Sequence, residues 1–558
     1  MRIFGSELGE AMVHWAERKA EEVVKTFREI RDVLVCNGGL SVSGLQHVGR
    51  LRGEVTIVDT VRKILEKRGY EAKHTIVLYT MDAWKGKETQ LKQFSDPEEA
   101  KAFTGRPLFL VPDPQECHKN WVEHYWENFG NYLQHFALDV EVVSTKELYE
   151  KNMRMKEFIV KTLTEKRSEA VRTINKYRGR NPHPEDWIPF NPICEKCLRI
   201  DSTVAVSFDE KTGIIEYICK ACGNEGRQPL ERGKLTWRLE WVGVWYSMGV
   251  SFEPYGKDHA TPGGSRDSCN DLARNVYRFE PPVGLPYEWV GYSRKGVDVG
   301  DMGSSDFIGF TPKDWIEVAE GEVLRYIYLF TQPMKRIVLS LERVPLYVDE
   351  YDKAERIYYG LEALRDTEEN ERISKSYYLA QLREPPSEPP IQLPYLHAVA
   401  LIQVLPKHDM VREALKRLEK TGLIKSKITD FELERIKRRL INAQNWIASY
   451  APDRYKISLL PHLTAQVLRS IDRDVIPLLK ELYDKLEELE EWTEDDIKQV
   501  MMSIKRTKHQ EREFFKALYL MFFGREYGPR IAPYLSFIDK SWVLNRLREV
   551  LKYYAKQE

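Results

Sequence analysis

Apolar positions across residues 7–31 recur at helical spacing, and the pattern then changes: Val33-Leu34-Val35-Cys36 is an unbroken apolar run suited to a buried strand. It gives way to Asn37-Gly38-Gly39-Leu40-Ser41-Val42-Ser43-Gly44, read as a turn. From His47 onward Leu51, Val55, Val58, Val61 and Leu65 restore a helical stripe that Gly69 stops, and Thr75-Ile76-Val77-Leu78-Tyr79 forms a second strand. Strand, turn, helix and strand make the opening unit of a doubly wound α/β sheet. Beyond about residue 150 the chain turns helical and charged, then Pro-rich at Asn181-Pro182-His183-Pro184. Mixed apolar and Gly/Pro-rich sequence returns at 237–312, where the sheet is expected to resume after an inserted module. From about residue 346 strand signals vanish. Long Leu/Ile/Lys/Glu patterns without a sustained heptad predict a globular helical bundle rather than a coiled coil.

At 558 residues the chain is long enough for two to four domains, and 42% hydrophobic with 31% charged residues is the composition of a water-soluble globular protein. No apolar run reaches the roughly 18 residues a membrane span requires, and the charged amphipathic start lacks the apolar region of a signal peptide, so a cytoplasmic location is expected. A net charge of −1 excludes a global basic field of the kind that coats nucleic acid. Any contact with RNA must come from local patches.

Of the seven cysteines, Cys36, Cys117 and Cys269 stand alone, while Cys194-x-x-Cys197 and Cys219-x-x-Cys222 form two pairs. The spacing between the pairs is that of a zinc ribbon, in which four thiolates close one tetrahedron. Such a site leaves no position for substrate, so the metal is expected to be structural.

Ser43-Gly44-Leu45-Gln46-His47-Val48-Gly49-Arg50 falls where the first strand hands over to its helix, the place where doubly wound folds bind nucleotides. On its own a His-x-Gly after a strand fits a plain helix-capping turn better. The segment resembles the HIGH signature of class I aminoacyl-tRNA synthetases, and the surrounding chain resembles class I lysyl-tRNA synthetases in order along nearly its whole length. The matching stretches are His14-Trp15-Ala16-Glu17, Gly105-Arg106-Pro107-Leu108 with Val111-Pro112-Asp113-Pro114, and Gly256-Lys257-Asp258-His259-Ala260 with Gly263-Gly264-Ser265. They continue through Tyr351-Asp352-Lys353-Ala354-Glu355-Arg356-Ile357-Tyr358, Asn445-Trp446, Tyr450-Ala451-Pro452 and Gly528-Pro529-Arg530.

The resemblance implies a Rossmann-like catalytic domain with a zinc-ribbon insertion and a C-terminal all-α bundle. Expected boundaries are 1–150 and 236–315 for the catalytic halves, 151–235 for the insertion, 316–345 for a connecting region and 346–558 for an anticodon-binding bundle. The implied reaction is ATP-dependent attachment of lysine to its tRNA through lysyl-adenylate, with Mg²⁺ beside the nucleotide. A paralogue that binds tRNA without charging it, or adenylates another substrate, is the rival. His47 would stabilise the α-phosphate, with Arg50, Ser304 and Ser305 as further catalytic groups. Gly38, Ser41, Ser43, Gly44, Gly49 and Met302 would border ATP.

Asp301-Met302-Gly303-Ser304-Ser305-Asp306 stands where the family carries its KMSKS-type loop, but Asp301 and Asp306 occupy both lysine positions. Carboxylates repel a polyphosphate, so a substitute cation is expected. Arg50, Lys257, Lys295 or a Mg²⁺ held by Asp301 are the candidates. For the amino acid, the resemblance points to Gly39, Trp237, Glu240, His259 and Tyr287, with Glu240 receiving the ε-ammonium and an aromatic wall lining the methylene stem. In the bundle, Lys416, Arg417, Arg435, Lys437, Arg438 and Arg439 are candidates for RNA, while Trp446 and Phe515 read as core.

Overall fold

A computed structural model describes residues 14–405, 410–424 and 428–557. The chain divides into two compact units. One gathers residues up to Ile316 with Glu320–Ser340 and Gly360–Pro385; the other takes Glu317–Ala319, Leu341–Tyr359 and the chain from Pro386.

The first unit is built on five parallel strands, β1 (Val33–Leu40), β2 (Glu71–Leu78), β3 (Val140–Ser144), β4 (Val250–Gly256) and β5 (Val283–Tyr287), in the order β5-β4-β1-β2-β3. The chain winds outward from β1 to β3 and then returns to the other side of β1. The reversal between β1 and β4 is a topological switch point, where open α/β sheets bind ligands at the carboxyl ends of their strands. Helix α1 (Trp15–Phe27) precedes the sheet, shorter at its carboxyl end than the expected 7–31; residues 7–13 lie outside the described residues. Its start explains His14-Trp15-Ala16-Glu17: His14 Nδ1 accepts from Ala16 N at 3.2 Å and the Glu17 carboxylate accepts from His14 N at 3.0 Å, a reciprocal cap.

The stripe Leu51, Val55, Val58, Val61 and Leu65 is wholly buried, as its period requires. The helix begins with a wide turn over Leu51–Ile57 and continues as α2 (Val58–Lys67). The expected turn at Asn37 is corrected: β1 runs on through Leu40, with Asn37, Gly38, Gly39 and Leu40 opposite Thr75, Ile76, Val77 and Leu78. Tertiary packing explains glycine there, because a Cβ on Gly38 would lie 2.4 Å from Glu54 O and one on Gly39 would lie 2.9 Å from the Tyr79 ring. Asn37 is buried between Thr75, whose hydroxyl donates to it at 2.7 Å, and Glu253, to which it donates at 2.6 Å.

Charged helices Thr145–Lys151, Met153–Leu163 and Arg167–Lys176 follow β3 and lead to a three-stranded antiparallel sheet of Thr203–Asp209, Ile214–Cys219 and Glu225–Pro229. The chain re-enters the main sheet through helix α3 (Trp237–Met248), capped by Gly249 in the left-handed region at φ 65°. In the second unit every regular element among the described residues is helical. Trp446 is buried there and donates to Leu341 O at 2.8 Å, while Tyr395 donates to Val318 O at 2.8 Å and Asn442 O at 3.1 Å.

Candidate active site and metal clusters

The segment after β1 carries His47 into the first unit almost fully buried, at 6% exposure. Val48 N donates to Phe310 O at 2.9 Å and Tyr328 donates to Val48 O at 2.9 Å, so the backbone on the far side of the imidazole is fixed. Burial, with Arg50 nearby, pushes the His47 pKa down to about 3, leaving a neutral ring with one N–H to donate at physiological pH. Gly49 is required by that ring: a Cβ would lie 2.8 Å from His47 Nδ1.

The Asp301–Asp306 loop lies directly against this turn. A Cβ on Gly44 would sit 2.4 Å from Ser304 O and 3.1 Å from the Phe307 ring. Met302 N donates to Val290 O at 2.8 Å, and Gly303 and Ile308 exchange backbone bonds at 2.9 and 3.1 Å, which closes the loop on itself. Gln46 Oε1, His47 Nδ1 and Ser304 Oγ are buried without a hydrogen-bond partner among the described residues. Buried polar atoms are normally paired, so three such atoms on two touching segments suit a polar ligand such as a nucleotide.

The cations expected to compensate Asp301 and Asp306 are engaged elsewhere. Arg50 faces the buried Glu54 at 3.6 Å, Lys257 pairs with Glu288 at 2.6 Å, and Lys295 stands in the left-handed turn after the strand Val290–Arg294. Asp301 instead accepts from Arg336 Nε at 2.7 Å, and Asp306 accepts from Lys87 Nζ at 2.8 and 3.1 Å. Neither Arg336 nor Lys87 was foreseen in the sequence.

An aromatic cluster lies at the start of α3 and just beyond β4. Trp237, Trp241 and His259 form a cluster with ring separations of 5.8, 5.7 and 5.2 Å. Tyr287, at the end of β5, donates to Glu54 Oε1 at 2.8 Å and lies over Gly53. Glu240 has an ion-pair partner within the chain. Its carboxylate is buried and 2.7 Å from Lys234, which also reaches Asp82 at 2.7 Å, so Lys234 is shared between two carboxylates. Burial pushes Glu240 up to about 7 against the pull of Lys234.

Among the described residues, two groups of side chains have the donors and spacing for a metal. The four sulfurs of Cys194, Cys197, Cys219 and Cys222 lie within 4.8 Å of one another, with Cys194–Cys222 and Cys197–Cys219 both at 3.6 Å. A tetrahedron on 2.3 Å zinc–sulfur bonds has edges of about 3.8 Å, so the cysteines fit zinc. The second group was not read from the sequence. Asp113, Cys117, His118 and His124 also bring their ligand atoms within 4.8 Å of one another, which corrects Cys117 as a solitary cysteine. Cys117 Sγ lies 3.1 and 3.3 Å from the Nδ1 atoms of His118 and His124, and Asp113 lies 3.0 Å from His124. Asp113 is oriented by the backbone N–H groups of Gln115, Cys117 and His118 at 2.8, 2.8 and 2.6 Å. One carboxylate, one thiol and two imidazoles suit zinc as well.

A family model described as "tRNA synthetases class I (K)" matches residues 13–383. The chain belongs to that family. A second model, described as an anticodon binding domain, matches residues 454–551 of this class I (K) synthetase. The chain is 44% identical over 543 residues to the "Lysine--tRNA ligase" of Aeropyrum pernix, covering 96% of this chain and 98% of that protein. It is 32% identical to the protein of the same name from Pyrococcus horikoshii and 32% to that from Archaeoglobus fulgidus, covering 96% and 97% of this chain and 99% and 100% of theirs.

The basic residues singled out in the synthetase's bundle all lie before the anticodon-domain match, and two are spent internally. Arg439 donates to Asp352 at 2.9 Å, a buried pair, and the half-buried Arg435 donates to the buried Glu355 at 2.9 Å. Lys416 pairs with Glu413 at 2.7 Å, Arg438 is exposed, and Arg417 and Lys437 are half-buried. Phe515 is half-buried under the Arg506 guanidinium. No helix among the described residues is long and apolar enough to cross a membrane.

Proposed function

We propose that this protein attaches lysine to its tRNA in two ATP-dependent steps. In the first, a carboxylate oxygen of lysine attacks the α-phosphorus of ATP, the bond from that phosphorus to its bridging oxygen breaks, and pyrophosphate leaves with the electron pair. In the second, a terminal ribose hydroxyl of the tRNA displaces AMP. The observation that carries this reading is the contact between the His47 turn and the Ser304 loop at the switch point of the sheet, each bringing an unpaired buried polar atom. Likeness to proteins named lysine–tRNA ligase supports it along almost the full chain.

His47 donates to the charge developing on the α-phosphate, and the donor's fixed position supplies the gain, since this displacement needs little covalent help. Ser41, Ser43, Gly44, Gly49 and Met302 border the nucleotide, with Mg²⁺ on its phosphates, and Ser304 and Ser305 act from the loop. Gly38 serves through packing beneath the site. Trp237 and His259 line the lysine stem, with Gly39 and Tyr287 at neighbouring strand ends. The four cysteines hold a structural zinc, and Asp113, Cys117, His118 and His124 hold a second ion. The bundle receives the tRNA, and the protein works in the cytoplasm.

Lysine-dependent ATP–pyrophosphate exchange, run in parallel with the other amino acids, tests this. Exchange with lysine above all others is expected. Background exchange with retained tRNA binding would establish the rival reading of a repurposed paralogue.

A further inference from the structure

The loop that should carry two cations toward the leaving pyrophosphate carries two carboxylates, and the structure gives these different partners. Arg336 is shared by two carboxylates: it donates to Asp301 at 2.7 Å and to Asp298 at 2.7 and 3.2 Å, and packs against Gly291, where a Cβ would meet its guanidinium at 2.3 Å. Two carboxylates on one guanidinium leave a net negative charge, so this group braces the base of the loop and offers nothing to a phosphate. Lys87 is different. Its ammonium touches the single carboxylate of Asp306, and the two side chains are 38% and 49% exposed. An ion pair this open contributes little to stability and exchanges partners readily.

The residues after Lys87 fix its position against both signature segments. Thr89 donates to Ser305 O at 2.6 Å, on the loop, and the buried Gln90 donates to Ser43 O at 2.8 Å, on the His47 turn. Gln90 also accepts from Lys87 N at 2.9 Å, so the backbone of Lys87 is tied to the same clasp. Gly86 turns the chain into it at φ 62°, where a Cβ would strike Thr104 Oγ1 at 2.3 Å.

We propose that Lys87 is the cation that serves the β- and γ-phosphates in this enzyme, and that Asp306 is its resting partner. A triphosphate draws the ammonium from Asp306, and the charge then stabilises the pyrophosphate as its bond to the α-phosphorus breaks. A positive charge that the family resemblance places on the loop is here delivered from the segment after β2. The proposal rests on the adenylation reading above.

Exchange kinetics on four chains test it: the natural protein, Lys87→Met, Lys87→Arg and Asp306→Asn. Lys87→Met is expected to lower kcat for lysine-dependent exchange by about 10²-fold, the loss of one oriented charge, and to raise the KM for pyrophosphate with the KM for lysine unchanged. Lys87→Arg should restore most of the rate. Asp306→Asn should exchange faster than the natural chain, since it releases Lys87 and removes a repelling charge. A structural latch would instead make Lys87→Met and Asp306→Asn fall alike, and that outcome overturns the proposal, as does an unchanged Lys87→Met. Thermal unfolding of each variant shows that the chains are folded. Absence of exchange in the natural protein overturns the adenylation reading and this proposal together, whereas exchange in the natural protein with full activity in Lys87→Met overturns the proposal alone.

Discussion

The two metal-type clusters differ in what they hold. Cys219 ends a strand of the three-stranded sheet and Cys222 lies in the turn after it, while Cys194 and Cys197 come from a turn ahead of the sheet; with Tyr217 the four form a small core of their own. The Asp113–His124 cluster fastens the start of the helix Trp121–Gly130. From that helix Trp121 donates to Val42 O at 3.1 Å, beside the His47 turn, and Trp121 and Tyr125 reach the Phe307 ring at 6.3 and 5.4 Å, next to the loop. The first cluster organises its own module. The second stands behind both signature segments.

The strongest test removes the first cluster. Cys194→Ser with Cys222→Ser should release one zinc per chain and abolish amide-exchange protection over residues 203–229, because binding energy at such a site is folding energy, about 10–16 kcal/mol in isolated zinc modules. Full zinc content, or protection as before, would break the reading. His47→Ala sets the scale at the reacting atoms: adenylation should fall by about 10²–10³-fold without loss of fold, and an unchanged rate removes His47 from the mechanism.

Between these lies the second cluster. His124→Asn should release a second ion and slow exchange by about tenfold, the usual size of an effect passed through supporting residues, while zinc at the cysteines stays bound. If exchange is untouched when that ion is lost, the two clusters are alike in being structural only, and the comparison fails.

The smallest effect is a control in the sheet, away from both clusters. Burial lowers the pKa of His74 from 6.5 to about 4. The unfolded chain therefore takes up a proton between those values that the folded chain refuses. The stability tied to His74 is complete above pH 6.5 and is lost as pH falls toward 4. Replacing it by Asn should flatten the dependence of urea-unfolding free energy on pH in that window by about 1.4 kcal/mol per pH unit, and an unaltered slope would show that the ring titrates normally.

What could be read from the chain depended on how local the determinants were. The cysteine pairs were legible because each knuckle keeps only two residues between its ligands. The second cluster was not, since a carboxylate, a thiol and two imidazoles are scattered over a turn and a helix start; the Cys117-His118 pair with His124 beyond it was the signal to follow. The parallel sheet followed from apolar runs and a helical stripe of the right length. The end of β1 did not, because Gly38 and Gly39 look like a turn until Glu54 and Tyr79 are seen lying across them. The loop's partners were out of reach for a similar reason: Lys87 stands 219 residues from Asp306, and only the fold brings them together.

The internal pairs Arg439–Asp352 and Arg435–Glu355 carry a consequence for measurements on the helical unit. Counterions condensed on a nucleic acid are released only by cations that reach its phosphates, and each such contact steepens the fall of log affinity with log salt by about 0.7–0.9. An arginine neutralised inside the bundle releases none. Lys416, Arg417, Lys437 and Arg438 can contribute to the slope of tRNA binding, whereas truncating Arg435 or Arg439 should strand a buried carboxylate, lowering stability while leaving that slope where it was.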